Sequence, residues 1–147
     1  MRLPCQKALF LIISTIACHN STGPRTIDAQ YALQTINDRQ LPTYLAPTPG
    51  PTATIFWSTL TLDKAGKAVM AEHRRVEPPL TEGTYTYTYD YRINGNLIEI
   101  GSFQPCPANA NCAPNRVGTI FGSTLRLSIN PGSQFHIVYE YRIAPTL

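Results

Sequence analysis

The sequence predicts an all-β protein, built as an antiparallel up-and-down barrel of about eight strands. Charged residues make up only 14% of the 147 residues and there are 13 prolines, a composition that favours strands and turns over helices. No segment beyond the N-terminus combines the helical spacing of apolar residues with helix caps. About eight segments instead show an extended pattern and are separated by turn signals, and eight strands are enough to close a small barrel.

The first 17 residues have the pattern of an export signal. Two basic residues are followed by an apolar run over residues 8–13 and then by small residues that lead to Cys18. This segment is too short to be a transmembrane helix. Ala17 and Cys18 resemble the lipobox of bacterial lipoproteins, with Thr15 where leucine is usual. The resemblance implies cleavage before Cys18 and lipidation of that cysteine, and the alternative is an ordinary secretory signal cleaved nearby.

We therefore divide the chain into a signal peptide (residues 1–17), a short tether (18–29) and a β-barrel domain (30–147). Two of the 12 basic residues leave with the signal, so ten face nine acidic residues and the mature net charge is +1. This balance argues against nucleic acid as a partner. His19, rather than Asp, follows Cys18. In bacterial lipoproteins this favours the outer membrane, on its periplasmic side, where the organism has one. We expect a monomer held at the membrane by its lipid.

The first strands of the domain are separated by an unusual segment. The first predicted strand covers Gln30–Asn37. In Leu41–Ala53, four prolines and a glycine predict a long loop without regular structure. The second and third strands, Thr54–Leu62 and Lys67–Val76, are joined by a turn that contains Gly66. The long loop is a candidate binding loop or lid, although a plain surface connection is the simpler interpretation.

The most regular pattern lies in residues 83–100. Tyrosines alternate with polar residues, Asn94-Gly95 favours a type I′ turn, and residues 96–100 resume the extended pattern. This predicts a hairpin whose aromatic face must be covered by other strands. The remaining predicted strands are Arg116–Phe121, Thr124–Ile129 and Gln134–Ile143.

Two cysteines remain once Cys5 leaves with the signal and Cys18 is lipidated. Cys106 and Cys112 lie in a loop rich in Pro, Asn and Ala. An exported protein meets an oxidising compartment, so we predict a disulfide between them, which would contribute about 2 kcal/mol by closing this short loop. A metal or redox site is the alternative. The pair lacks the second Cys/His pair of a zinc site and the two-residue spacing of a thioredoxin motif.

No catalytic signature accompanies these strands. The chain contains no GxSxG, GxGxxG, GxxxxGK or HExxH motif. His73 lies between Glu72 and Arg74, but no third metal ligand stands at a recognisable spacing, and a solvated strand face is the simpler interpretation. We therefore expect neither enzyme activity, nor a metal, nor a cofactor.

The tyrosine-rich face suggests a binding site. Phenol hydroxyls inside a barrel need partners or water, which indicates a partly polar cavity for an apolar or amphipathic small molecule. The alternative is a filled barrel that acts as an envelope structural or protein-interaction module. We place the site at the end framed by loops 41–53 and 104–115, which should share one end. The candidate ligand-facing residues are Tyr44, Trp57, Tyr85, Tyr87, Tyr89, Tyr91, Tyr139 and Tyr141.

The order of the motifs is similar to that of the small lipocalin-like domains of bacterial lipoproteins. The similarity consists of a YxLxxIN strand, an LTLDxxGxA turn, a GTYTY…NGNxI hairpin, a GTIxGxTLxL hairpin and a closing aromatic strand. It covers residues 31–143. It implies the barrel fold and a lipid-anchored envelope protein. It implies no particular activity, because these motifs concern turns and strand alternation.

Overall fold

The structure is a computed structural model that describes residues 26–46, 51–103, 116–129 and 136–144. All regular elements in these ranges are β-strands, and no helix there is long and apolar enough to cross a membrane. Their bounds are β1 (Ala29–Ile36), β2 (Arg39–Gln40), β3 (Thr43–Leu45), β4 (Thr52–Leu62), β5 (Lys67–Glu77), β6 (Thr81–Asn94), β7 (Leu97–Gly101), β8 (Arg116–Phe121), β9 (Thr124–Ile129) and β10 (Ile137–Ile143).

Eight of the strands close into one antiparallel barrel. Each strand from β4 to β10 pairs with the next, β10 pairs with β1, and β1 pairs with β4. Closure leaves each of these eight strands with a partner on both sides over at least part of its length. The predicted all-β, antiparallel, eight-stranded barrel is confirmed.

The segment after β1 differs from its prediction. Arg39–Gln40, just before the predicted loop, pairs with the end of β1. Thr43–Leu45, within the loop, pairs with the first half of β4, although the prolines predicted no regular structure there. Pro42 lies between these two short strands, where its missing N–H removes no ladder hydrogen bond. The Thr43 hydroxyl donates to the carbonyl oxygen of Gln40 at 2.7 Å and stabilises this corner. The prediction of an irregular loop is therefore wrong for Thr43–Leu45.

The two ends of the barrel differ in their connections. The tight turns between β4 and β5, β6 and β7, and β8 and β9 contain Gly66, Gly95 and Gly122, each with a positive φ angle that suits glycine. We call this the turn end. The connections that leave Ile36 and Gly101 start at the opposite end, which we call the loop end. The described residues that lead toward both long loops of the sequence therefore lie at the loop end.

The turn-end half of the interior is an apolar core. Inward side chains from all parts of the wall meet there and are shielded from water. Full burial of one large aliphatic side chain contributes about 1.5–3 kcal/mol, so this half supplies much of the barrel's stability. The aliphatic side chains with no exposed surface include Leu60, Leu62, Ile93, Ile98, Ile100 and Leu125.

Tyr91 attaches the N-terminal segment to the turn end. Its hydroxyl oxygen accepts the backbone N–H of Ile27 at 2.8 Å and lies 2.6 Å from the carbonyl oxygen of Asp63, to which it can donate. The Thr26 hydroxyl donates to the carbonyl oxygen of Lys64 at 3.0 Å. Burial raises the pKa of Tyr91, so the hydroxyl keeps the proton that it donates. The chain therefore enters the barrel at its turn end.

Gly118 has no room for a side chain. It is buried in β8 and pairs with Ile98 on one side and Leu127 on the other. An added Cβ atom would lie 2.2 Å from the carbonyl oxygen of Arg126 and 2.7 Å from Cδ2 of Leu127. Glycine is required here by the lack of space.

Candidate functional site

The loop-end half of the interior contains a polar cluster, unlike the apolar turn-end half. Ser58 in β4 and Glu72 in β5 are cross-strand partners, and their exposed fractions are only 2% and 4%. Arg74 lies two residues after Glu72, so strand alternation places both on the same face of β5. A buried carboxylate is costly unless it is paired and hydrogen-bonded.

Glu72 has its charged partner in Arg74. Nη1 of Arg74 donates to Oε1 of Glu72 at 3.2 Å, and Nη2 donates to the Tyr87 hydroxyl at 2.8 Å. Desolvation raises the pKa of Glu72, while the positive charges of Arg74 and Arg116 oppose that rise. Burial and the two nearby cations therefore have opposite effects on the pKa of this carboxyl group.

Arg116, the first residue of β8, brings the second guanidinium group. Its partner across the ladder is the buried Ile100, which places the Arg116 side chain on the interior face. Its Cζ atom lies 4.4 Å from the centroid of the Tyr89 ring, and Cζ of Arg74 lies 4.4 Å from that of Tyr85. Both guanidinium groups therefore rest against tyrosine rings in cation–π contacts.

Tyr139 and Tyr141 of β10 form the far wall of the cluster. Their rings stack with centroids 6.2 Å apart, and the Tyr141 hydroxyl lies 3.3 Å from Oγ of Ser58. Desolvation raises the pKa of both phenols well above the ordinary value. Both hydroxyls therefore stay protonated at neutral pH and can donate hydrogen bonds.

The accessible part of the cluster lies along β6. This strand pairs with β5 over Thr81–Asp90 but with β7 only over Asp90–Asn94. Between them, Tyr85, Tyr87 and Tyr89 stand where β6 has one neighbouring strand among the described residues, and all three are half-buried. These three rings are therefore more accessible than those of Tyr139 and Tyr141, which are buried.

Six of the eight predicted ligand-facing residues point into the barrel, and five of them meet in the cluster. Tyr91 shares their face of β6 but lies at the turn end, where its hydroxyl is occupied by Ile27 and Asp63. The five in the cluster are Tyr85, Tyr87, Tyr89, Tyr139 and Tyr141.

Tyr44 and Trp57 lie on the outer face of the barrel, not at the mouth as expected. Tyr44 follows the buried Thr43 and is 58% exposed. Trp57 precedes the buried Ser58, is 43% exposed, and stacks on the ring of His73 with centroids 5.9 Å apart. Strand alternation sends both aromatic side chains outward.

Sequence reasoning missed the charged members of the cluster. Glu72 and Arg74 belong to a segment that was interpreted as a solvated strand face, and Arg116 was counted only as the start of a strand. The sequence does contain a signal for Glu72 and Arg74. They alternate in phase with Ala68 and Met70, which are buried on the inner face of β5.

The three cysteines with predicted roles, Cys18, Cys106 and Cys112, lie outside the described residues. Lipidation and the disulfide therefore stay predictions, as does any role of residues 104–115. In the described part of the chain, no group of three or more His, Cys, Asp or Glu side chains is placed to hold a metal ion.

Replacing Glu72 by glutamine will change the pH dependence of stability. Because burial raises its pKa, folded Glu72 holds a proton that unfolded Glu72 has released, in the window between its ordinary and its raised pKa. The free energy of unfolding of the wild type therefore falls as pH rises through this window, and the Glu72→Gln variant lacks that contribution. Urea unfolding between about pH 4 and pH 8 measures the difference.

Glu82→Gln is the matched control for this titration. The Arg75 guanidinium lowers the pKa of the exposed Glu82, so its stabilising contribution is lost as pH falls, which is the opposite sign. Identical pH profiles for the Glu72→Gln variant and the wild type would contradict the prediction.

Comparisons with known proteins identify no relative. No family model matches the chain, and the searches of curated proteins and of solved structures found no match. Function must therefore be inferred from the chemistry of the site itself.

Proposed function

We propose that this protein is a lipid-anchored envelope protein that binds a small amphipathic molecule at the loop end of its barrel and catalyses no reaction. The supporting observation is the cluster of Glu72, Arg74, Arg116 and tyrosines inside the wall at this end. Such a cluster offers ring faces for an apolar body and fixed donors for a polar group, which is the usual composition of a small-molecule site.

A purely structural interior would not need these charges. Replacing a buried ion pair with packed apolar residues is often neutral or stabilising, and the turn-end half of this same barrel is apolar. Glu72 and Arg74 are retained on the inner face of β5 beyond Met70. We infer that the loop-end half is specialised for a ligand, at some cost to packing.

The arrangement gives no support to catalysis. Ser58 is partnered by the Tyr141 hydroxyl, which is no base at neutral pH, because desolvation raises its pKa. His73 lies on the outer face against Trp57, away from that serine. A nucleophile, its base and an orienting group therefore do not converge among the described residues.

The proposed location depends on the N-terminal sequence. The similarity of residues 1–17 to a lipoprotein signal supports lipid attachment at Cys18, and His19 favours the outer membrane in an organism that has one. The similarity to lipocalin-like domains supports the barrel fold, and the binding role depends on the polar cluster alone. We also propose that the protein is a monomer and that Cys106 and Cys112 form a disulfide.

A protein-interaction module is the second candidate function, and an outer surface favours it. Phe121 and Leu97 are 82% and 55% exposed on neighbouring strands. Leu97, Val117 and Arg126 help to line a shallow depression of about 240 Å³. Exposed apolar side chains that lie together mark candidate contact surfaces.

Native mass spectrometry of gently extracted protein tests the choice between these functions. We expect a bound small molecule that dissociates on unfolding, is reduced in a Tyr87→Leu variant and is retained in Tyr44→Leu, which changes a tyrosine on the outer face. If no small molecule is found, and crosslinking captures a protein partner that depends on Phe121, the interaction module replaces the binding proposal.

A further inference from the structure

The polar cluster has an excess of positive charge. Arg74 is paired with Glu72 at 3.2 Å, whereas no Asp or Glu lies at ion-pair distance from Arg116. All nine Asp and Glu residues of the sequence fall within the described ranges. No side-chain carboxylate from elsewhere in the chain is therefore left to neutralise Arg116.

The guanidinium groups also have unused donors. Nε of Arg74 and Nε of Arg116 are buried, and neither has a hydrogen-bond partner among the described residues. A buried charged donor without an acceptor is costly, so such a donor usually marks a place that another group occupies.

The positive charges of Arg74 and Arg116 affect the same two buried groups. Both lower the pKa of Glu72 against the effect of its burial, and both do the same for the buried Tyr139. Arg74 and Arg116 contact Tyr85 and Tyr89, which are four residues apart in β6 and lie on the same face of that strand.

We propose that the ligand of this barrel carries a carboxylate, which Arg74 and Arg116 bind between them. This inference rests on the proposed function, since it names the class of molecule that the loop-end site takes. The planar donors of a guanidinium match the two oxygens of a carboxylate, and the donors left free here are of that kind.

The net charge of the site and the apolar side chains beyond it further restrict the class of ligand. With Glu72 ionised, two cations and one anion leave a net charge of +1, which one carboxylate neutralises. A dianion such as a phosphate monoester would exceed this balance and repel Glu72. Beyond Met70, toward the turn end, the interior holds fully buried apolar side chains, so a compact body that lies against the tyrosine rings fits better than a long chain that extends in that direction.

Binding of benzoate and benzamide tests the charge requirement, because the two molecules share a ring and differ in the carboxylate. We expect benzoate to raise the melting temperature of the mature protein in a saturable way. Benzamide should bind at least about tenfold more weakly, since it lacks the charge-assisted hydrogen bonds. Inorganic phosphate should compete poorly with benzoate.

Variants of Arg116 test the assignment of the residue. We expect Arg116→Gln to weaken benzoate binding at least about tenfold, and Arg116→Lys to have an intermediate effect because it keeps the charge but loses the planar donors. Arg126→Gln removes an arginine from the outer face, where its side chain is 55% exposed, and should leave binding unchanged. Near-UV circular dichroism establishes that each variant is folded.

Three results would overturn the inference. These are equal binding of benzoate and benzamide, unchanged binding in folded Arg116→Gln protein, and no saturable benzoate binding by the wild type. The proposed function is tested separately, by whether native mass spectrometry finds a small molecule that co-purifies with the protein. A neutral ligand that depends on Tyr87 but not on Arg116 would preserve small-molecule binding and refute the carboxylate.

Discussion

Replacing Gly118 by alanine will destabilise the barrel by about 3 kcal/mol or prevent it from folding. The added methyl group would lie 2.2 Å from the carbonyl oxygen of Arg126, far inside van der Waals contact. That oxygen belongs to the backbone of β9, so it cannot move aside as a flexible side chain would. Relief requires β8 and β9 to separate at the Gly118–Leu127 pair, which disturbs the closed ladder.

Gly83→Ala is the matched control for this substitution. Gly83 also lies in a barrel strand, but no atom lies within 4 Å of a Cβ added there. Alanine at this site should be neutral or stabilise the protein by up to about 1 kcal/mol, since it restricts the unfolded chain. Urea unfolding of both variants gives the comparison. Equal stability of the two would show that the Gly118 contact is relieved without cost.

Replacing Cys18 by serine will release the protein from the membrane. If Cys18 carries diacylglycerol, as we propose, its two acyl chains provide the stable attachment, and no other residue can accept that lipid. We expect nearly all of the wild type in the membrane fraction and nearly all of the variant in the soluble fraction. Mass spectrometry should show the acyl chains only on the wild type.

Cys5→Ser is the control, because Cys5 lies in the segment that we expect to be cleaved. It should leave both the membrane fraction and the mature mass unchanged. An unaltered membrane fraction in the Cys18→Ser variant, with no difference in acyl mass, would remove the lipoprotein assignment.

The barrel was predictable because its determinants are local. Asn94-Gly95 fixes a tight turn, and the alternation before it separates an inner from an outer face. The β4 bulge was not predictable in this way. It lies between Ile55 and Trp57 and brings Ile55 rather than Phe56 inside, because a bulge inserts one residue into a pattern that otherwise has a period of two.

The candidate site was predictable only for its tyrosines. Their inward face follows from alternation along one strand, whereas the contact of Arg116 with Tyr89 depends on the registers of two successive strand pairs. No local pattern contains that information. Glu72 was missed for a different reason: charged residues are almost never buried without partners, so a charged segment is read as solvated unless its partner is already known.

The attachment of the N-terminal segment at the turn end determines which end of the barrel a lipid on Cys18 would hold at the membrane. Seven residues lie between Cys18 and Thr26, and the eight Cα–Cα steps that join the two span at most about 28 Å when fully extended. With lipid on Cys18, the turn end would therefore be the part of the barrel held nearest the bilayer, and the loop end with its half-buried tyrosines would face away from it. If the loop end binds a small molecule, as we propose, that molecule would be taken up and released on the aqueous side and not extracted from the membrane that holds the protein.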